Sequence, residues 1–152
     1  MKENQTALKT IFLADDDADD REFFSDALEQ SELQVQLTTI KDGVQLMKTL
    51  EETVPPPPDV IFLDLNMPRK SGFECLQEIR KTEKLKGIPV VILSTSANAD
   101  LVEKTYRHGA NYYICKPNSI TRLKNMIEKV MTFDLRQQGK QPARETFFVS
   151  IA

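Results

Sequence analysis

The chain has 152 residues, and its 20 Lys and Arg against 23 Asp and Glu give a formal net charge of −3. With 40% hydrophobic and 28% charged residues, the composition is that of a folded globular protein and excludes a disordered chain. The mild acidity and the lack of a basic stripe argue against direct nucleic-acid binding. The longest apolar run, residues 88–93, falls far short of the roughly 20 residues that a membrane span needs. Residues 1–17 carry no signal-peptide pattern, so we expect a cytoplasmic protein without membrane contact.

Short apolar runs alternate with segments of helical periodicity between residues 10 and 133. The pattern predicts ten elements in chain order: a strand at 10–14, a helix at 19–30, a strand at 33–37, a helix at 43–52, a strand at 60–63, a helix at 72–84, a strand at 90–93, a helix at 98–108, a strand at 112–115 and a helix at 119–133. Strands that alternate with helices predict an α/β fold. We expect a doubly wound, five-stranded parallel sheet with helices on both faces.

The polarity of the strands predicts their order in the sheet. Residues 10–14, 60–63 and 90–93 are continuously apolar, as expected of central strands covered on both sides. Residues 33–37 alternate between apolar and polar, which indicates an edge strand. With right-handed crossovers, this favours the flavodoxin-like strand order 2-1-3-4-5.

Residues 134–152 fall outside the alternating pattern. Residues 137–142 have the composition of a linker, and residues 146–152 are apolar and strand-like. We therefore predict one domain at 1–133 and a C-terminal extension at 134–152 that is too short to form an output domain. The extension either docks on its own domain or meets a partner or a second copy, since an apolar heptamer left in water would favour aggregation.

Polar residues follow four of the predicted strands. They are Asp15, Asp16 and Asp17, then Asp19 and Asp20, after the first strand, Asp64 and Asn66 after the third, Ser94, Thr95 and Ser96 after the fourth, and Lys116 after the fifth. Because the carboxyl ends of parallel strands meet at one edge of the sheet, these residues should lie together.

Such a cluster of carboxylates favours a cation. Two carboxylates about 5 Å apart repel by roughly 3 kcal/mol at an effective dielectric of 20, and this is relieved by a raised pKa or a bound ion. Oxygen ligands alone suit Mg²⁺. With the charge of Lys116 and the hydroxyl of Ser94, the cluster suits a phosphoryl group carried on a carboxylate. For Asp19 and Asp20 we favour a plainer role, charge at a helix N-terminus, whereas Asp17 could also cap that helix.

These residues resemble a two-component response-regulator receiver domain over about residues 8–133. The resemblance is carried by Asp15-Asp16, the segment DVIFLDLNMPRKSGFE at 59–74, Ser94, and the segment ICKP at 114–117. The order and spacing are typical of that family. The aspartate-rich start, the proline-rich loop before the third strand and the extension further resemble the stand-alone receivers related to bacterial phytochrome regulators.

The resemblance implies the roles of the acidic residues and the lysine. Asp64 would be the phosphoacceptor, taking a phosphoryl group from the phosphohistidine of a sensor histidine kinase or a histidine phosphotransfer protein. Asp16, Asp64 and the backbone carbonyl of Asn66 would bind Mg²⁺, with Asp15 assisting through water. Lys116 would pair with the phosphoryl oxygens.

The resemblance also implies a switch. Ser94 would hydrogen-bond the phosphoryl group, and Tyr113 matches the aromatic position that turns inward when Ser94 moves. Asn66 and Ser96 occupy the positions that tune dephosphorylation in the family. The expected readout face comprises the helix at 98–108, the strand at 112–115 and the helix at 119–133.

On this resemblance the chain is a single-domain response regulator. It would switch a surface that binds an unknown downstream protein, or pass the phosphoryl group on in a phosphorelay. It would not be an enzyme beyond catalysing its own phosphorylation and dephosphorylation, with Asp64 and Lys116 as the catalytic groups. A homodimer through the readout face or the extension stays open.

Three other classes of protein fit the pattern less well. A phosphatase of the haloacid-dehalogenase type needs a second aspartate two residues beyond the nucleophile, where this chain has Asn66. A flavin or nucleotide module would need a glycine-rich loop in place of the acidic one after the first strand. A receiver-shaped interaction module that works without phosphorylation would not need the intact set of Asp15, Asp16, Asp64 and Lys116.

Overall fold

A computed structural model of the protein describes residues 8–133 and 141–150. These residues form an α/β fold with one sheet. The strands are β1 (Lys9–Ala14), β2 (Val35–Ile40), β3 (Val60–Asp64), β4 (Val90–Ser94), β5 (Tyr112–Cys115) and β6 (Phe148–Val149). The helices are α1 (Ala18–Gln30), α2 (Gly43–Thr53), α3 (Gly72–Lys81), α4 (Ala99–Arg107), α5 (Ile120–Thr132) and α6 (Arg144–Phe147).

The sheet is parallel throughout, with the order β2-β1-β3-β4-β5-β6. The predicted order of the first five strands is confirmed, with β2 at an edge and the apolar strands in the centre. The structure adds β6, which pairs with β5 through Tyr113 opposite Phe148 and Ile114 opposite Val149. The prediction of five strands did not count residues 146–152, which we had described as strand-like, as part of the sheet. Of these, only Phe148 and Val149 form a strand, whereas residues 146–147 belong to α6 and residues 151–152 lie outside the described residues.

Helices cover both faces of the sheet, as the doubly wound pattern requires. Successive side chains of a strand point to opposite faces, so Ile61 and Leu63 of β3 join the core beneath α2, α3 and α4. Val60 and Phe62 join the core beneath α1 and α5. Burial on both sides explains why the central strands are apolar without alternation.

Two of the predicted elements differ from the structure by more than one residue at a boundary. The third helix ends at Lys81 and not at 84, because Thr82 adopts an extended backbone and its N–H bonds to the carbonyl oxygens of Glu78 and Ile79. The second strand covers Val35–Ile40 and not 33–37, because it pairs in register along the whole of β1. No helix among the described residues is long and apolar enough to cross a membrane.

The C-terminal segment 141–150 packs against its own domain. Phe147 joins the core beneath α2, α3 and α4, and Val149 joins the core beneath α1 and α5. Of the two alternatives for the extension, docking on the same chain is therefore the one that these residues adopt. The rest of the extension, including linker residues 137–140, lies outside the described residues.

Candidate functional site

The predicted site residues converge at the carboxyl edge of the sheet. Asp15 directly follows β1, Asp64 ends β3, Ser94 ends β4 and Lys116 directly follows β5. Asp15, Asp64 and Ser94 are buried, with relative exposures of 1%, 6% and 0%. The four strands concerned are consecutive neighbours in the sheet, so the fold brings residues more than 100 positions apart into one cluster.

Three carboxylates form the acidic part of the site. Asp15, Asp16 and Asp64 each offer an oxygen, and these three oxygens lie within 4.8 Å of one another. Asp15 and Asp64 are buried, whereas Asp16 is exposed to solvent. A set of oxygen ligands with one open side fits a hard divalent cation such as Mg²⁺, which binds one or two carboxylates and keeps several waters.

Short local hydrogen bonds fix the loops that carry these carboxylates. The Asp17 N–H donates to Asp15 Oδ1 at 3.0 Å, and Arg21 Nη1 donates to the Asp15 carbonyl at 2.8 Å. The Asn66 N–H donates to Asp64 Oδ1 at 3.3 Å. The carboxylates of Asp15 and Asp64 therefore have a defined direction before any ion or ligand binds.

Lys116 connects the carboxylates. Its Nζ lies 2.9 Å from Asp15 Oδ2, 2.9 Å from Asp20 Oδ2 and 3.8 Å from Asp64 Oδ2. Asp20, for which we favoured a role at the helix terminus, is therefore also a residue of the site. Its position in the first turn of a helix that begins at the acidic edge was the signal that could have identified it.

Burial and charge shift the pKa values of the central pair. Burial, together with the charge of Asp15, raises the pKa of Asp64 to about 7, although Lys116 opposes the shift. Burial acts to lower the pKa of Lys116, but hydrogen bonds to Asp15 and Asp20 and the charge of Asp64 raise it overall. Lys116 therefore stays a cation, while ionised Asp64 is held in a site with excess negative charge.

Ser94, Ser96 and Tyr113 form a chain of hydrogen bonds beside the acidic cluster. The Ser96 N–H donates to Ser94 Oγ at 3.1 Å. The Tyr113 hydroxyl donates to the Ser96 carbonyl at 2.7 Å, and the side chain of Tyr113 is fully buried. Tyr113 thus lies inward and is tied to the loop that follows Ser94.

The loop after Asp64 is closely packed. A Cβ on Gly72 would lie 2.1 Å from the Asp64 carbonyl oxygen, so only glycine fits there. Arg69 has a positive φ of 65°, and its Nη2 lies 2.5 Å from Oδ2 of Asp42, the N-cap of α2. The exposed side chain of Asn66 lies on the solvent side of this loop.

Comparisons with known proteins agree with the geometry. The family model "Response regulator receiver domain" matches residues 11–128. The response regulator Rcp1 of Synechocystis sp. is 34% identical over 137 residues, which is 88% of this chain and 93% of that protein. Two solved structures are similar over most of both chains. A phosphorylated cyanobacterial phytochrome response regulator, RcpA, has a TM-score of 0.76, 35% identity and coverage of 90% and 100%. The Mn²⁺-bound form of Rcp1 has a TM-score of 0.72, 34% identity and coverage of 89% and 99%.

Proposed function

The chain belongs to the response regulator receiver domain family, and from that premise we propose that it is a stand-alone receiver that accepts a phosphoryl group on Asp64. The donor is the phosphohistidine of a sensor histidine kinase or of a histidine phosphotransfer protein. The observation that carries the proposal is the meeting of Asp15, Asp16 and Asp64 with Lys116 at the carboxyl edge of the sheet.

In the proposed reaction, an ionised oxygen of Asp64 attacks the phosphorus of the donor. The new O–P bond forms as the P–N bond to the donor imidazole breaks. The donor ring, protonated on its other nitrogen, takes the electron pair of that bond and leaves as neutral imidazole. Little covalent help is needed from the protein, because phosphoryl transfer depends mainly on positioning and charge neutralisation. The buried, hydrogen-bonded carboxylate of Asp64 meets the need for positioning.

Two groups neutralise charge. Mg²⁺, held by Asp16, Asp64 and the backbone carbonyl of Asn66 with Asp15 assisting through water, would offset the charge of the phosphoryl oxygens. Lys116 adds an ammonium group 3.8 Å from Asp64 Oδ2, placed to pair with a phosphoryl oxygen. The Mn²⁺-bound form of the relative Rcp1 supports a divalent metal in this role.

Ser94 and Tyr113 make the proposed switch. Ser94 Oγ lies on the strand next to Asp64, and a hydroxyl there can donate to a phosphoryl oxygen. Tyr113 is bonded to the loop that follows Ser94, so a shift of Ser94 reaches α4 and β5 through that loop. This is how a local change of charge alters a protein-binding surface.

The proposed catalysis is limited to the protein's own aspartyl phosphate. Asn66 is exposed and Ser96 half-buried at the rim of the site, where each can help or hinder the water that hydrolyses the acyl phosphate. Asp64 and Lys116 are the catalytic groups, and we propose no turnover of another substrate.

Intact-protein mass spectrometry tests this proposal. The chain is incubated with Mg²⁺ and acetyl phosphate beside two single variants, Asp64→Asn and Asp19→Asn. Asp19 is an exposed aspartate at the start of α1, so its variant is a matched charge control.

We expect a phosphoryl-sized mass gain in the parent and in Asp19→Asn but not in Asp64→Asn. An equal gain in Asp64→Asn would overturn the proposal. No gain in the parent despite metal binding would favour an interaction module that works without phosphorylation.

A further inference from the structure

The C-terminal segment, residues 141–150, packs directly on Tyr113, the tyrosine of the proposed switch. Phe147 is fully buried, and its ring centroid lies 5.0 Å from that of Tyr106 and 6.2 Å from that of Tyr113. Phe148, the partner of Tyr113 across the β5–β6 pair, stacks on the same ring at 5.8 Å with an interplanar angle of 22°. Two consecutive aromatic residues of the segment therefore contact Tyr113.

Polar contacts fasten the beginning of the segment to α4 and the loop after it. Gln141 Nε2 donates to the carbonyl oxygens of Tyr106 and Ala110, at 2.6 Å and 2.7 Å. The Tyr106 hydroxyl donates to the Pro142 carbonyl at 3.0 Å. These bonds hold the segment across the face formed by α4 and β5.

Two further contacts hold the segment from its flanks. Arg144 Nε lies 2.8 Å from Glu103 Oε1 on α4. At the other end, Lys129 Nζ of α5 donates to the Ser150 carbonyl at 2.9 Å. The segment thus bridges α4 and α5 while its aromatic residues cover Tyr113.

The side chain of Tyr113 has less room to move with the segment docked than it would have in the domain without the segment. The Tyr113 ring is enclosed by Phe147 and Phe148, and its hydroxyl is bonded to Ser96 in the loop after β4. An outward rotation of the ring toward solvent would have to displace the segment. Tyr113 and the segment therefore favour each other's observed positions.

We propose that residues 141–150 are an intramolecular ligand of the α4–β5 face that holds Tyr113 inward, so that docking of this segment and occupation of the phosphoryl site on Asp64 strengthen each other. This inference rests on the proposed function, because it couples the segment to that site. The coupling is reciprocal, since two binding events that favour one conformation raise each other's affinity by the same factor. A downstream partner then meets a surface composed of α4 and the docked segment, with the edge of β5 closed.

A comparison of Phe147→Ala with Glu145→Ala tests the coupling. Phe147 fills the core beside Tyr113, whereas Glu145 is an exposed residue of the same segment. The probe is beryllofluoride with Mg²⁺, a mimic of the phosphoryl group, and its affinity is measured by calorimetry. We expect Phe147→Ala to weaken beryllofluoride binding by about fivefold or more, as typical couplings do, and Glu145→Ala to leave it within about twofold.

Hydrogen exchange supplies the reciprocal measurement. In the parent, beryllofluoride should slow amide exchange at Phe148 and Val149, since occupation of the site strengthens docking. Phe147→Ala should speed exchange at the same amides. A folded Phe147→Ala variant with fast exchange there but unchanged beryllofluoride affinity would overturn the inference and show that the segment is only structural.

The design separates this inference from the proposed function. If the parent binds no beryllofluoride and gains no phosphoryl group, both fail together. If the parent binds the probe and the variants bind it equally well, only the coupling fails. Should circular dichroism show that Phe147→Ala does not fold, Phe147→Leu keeps most of the buried volume while removing the ring, and a weaker loss of affinity is expected of it.

Discussion

At the residue scale, Lys116 lies among three carboxylates but contacts only two of them closely. Its ammonium group donates to Asp15 and Asp20 at 2.9 Å, but Asp64 at 3.8 Å is beyond hydrogen-bond distance. A phosphoryl group on Asp64 would attract Lys116, and we expect one of the two short contacts to lengthen. Asp15 is placed to assist the metal, so Asp20 is the partner most easily released.

We therefore predict that Asp20→Asn speeds phosphorylation of Asp64. The variant frees Lys116 and removes a negative charge that opposes the incoming phosphoryl group. A charge about 7 Å away at an effective dielectric of about 40 contributes about 1.2 kcal/mol, roughly an eightfold change in rate. The measurement is the initial rate of mass gain with acetyl phosphate. Asp19→Asn, which removes a charge nearby without touching Lys116, is the control; a rate for Asp20→Asn no higher than that control would contradict the role of Asp20.

The two cysteines differ in environment and should differ in reactivity. Cys75 is fully buried, and burial raises the pKa of its thiol to about 12. Cys115, at the end of β5, is only partly buried. Both thiols are free.

At pH 8 about one in ten thousand Cys75 side chains would be thiolate even without the steric protection of the core. We predict that a thiol reagent modifies one equivalent quickly in the folded protein and the second only on unfolding in urea. Absorbance of the released thiol product measures both phases. The fast phase should vanish in Cys115→Ser and persist in Cys75→Ser; the reverse assignment would show that the exposures are wrong.

At the element scale, the site depends on close backbone contacts between the ends of elements. A Cβ on Gly72, the first residue of α3, would lie 2.1 Å from the Asp64 carbonyl oxygen, and one on Gly43, the first residue of α2, would lie 2.2 Å from that of Lys70. Both glycines let a helix begin directly against the loop between Asp64 and α3. Gly87, in contrast, has open space around it.

We predict that Gly72→Ala and Gly43→Ala each lower the free energy of unfolding by about 1–3 kcal/mol, the usual effect of overpacking. Gly87→Ala should raise it by about 0.4–1 kcal/mol, because alanine restricts the unfolded chain. Urea denaturation measures all three. A loss in Gly87→Ala equal to that in Gly72→Ala would mean that the close contact with Asp64 is not what makes glycine necessary.

The elements also explain what the sequence could and could not predict. The central strands were predictable because burial on both faces leaves a continuous apolar run, as in β3, where all five residues are buried. The meeting of Asp15, Asp64 and Lys116 followed from the order of the strands. These features depend on patterns several residues long, which a sequence displays directly.

Features set by single tertiary contacts were not predictable in the same way. The pairing of β6 depends on the aromatic contacts of Phe147 and Phe148 with Tyr113, more than 30 residues away. Asp20 already had a sufficient local explanation as a charge in the first turn of α1, so its position near the acidic edge did not identify Lys116 as its partner. In both cases the sequence shows the residue, but it does not show which distant residue it contacts.

At the scale of the whole molecule, folding creates the acidic cluster that we propose as the metal site. Asp15 and Asp16 come from the loop after β1 and Asp64 from β3, and only the fold holds their oxygens within 4.8 Å of one another. A divalent cation that binds this cluster therefore binds the native state and not the unfolded chain. Such a ligand stabilises the protein according to its concentration and affinity.

We predict that Mg²⁺ at ten times its Kd raises the free energy of unfolding by about 1.4 kcal/mol and the Tm by a few degrees. Asp16→Asn, which removes a ligand at the exposed side of the cluster, should lose most of this effect. Asp100→Asn, an exposed change at the start of α4, should keep it. Thermal unfolding with and without Mg²⁺ measures the difference; equal Mg²⁺ stabilisation of Asp16→Asn and the parent would place the ion elsewhere.

Without a bound metal, the protein should be destabilised by the buried carboxylate of Asp64. Because the pKa of Asp64 is raised to about 7 in the fold from about 3.9 in an unfolded chain, the folded state holds the proton more tightly. The stabilisation from that proton is complete below about pH 4 and is lost as the pH rises to about 7.

We predict that Asp64→Asn, which carries no ionisable group, raises the free energy of unfolding at pH 8 without Mg²⁺ by about 1–3 kcal/mol and flattens its fall between pH 4 and 7. Urea denaturation across this range with a chelator checks both, and Asp100→Asn should follow the parent. If the metal-free Asp64→Asn variant is less stable than the parent at pH 8, the favourable contact with Lys116 contributes more than the burial of the Asp64 charge costs. If the variant is more stable, as we predict, this fold keeps a destabilising carboxylate where the proposed chemistry needs one.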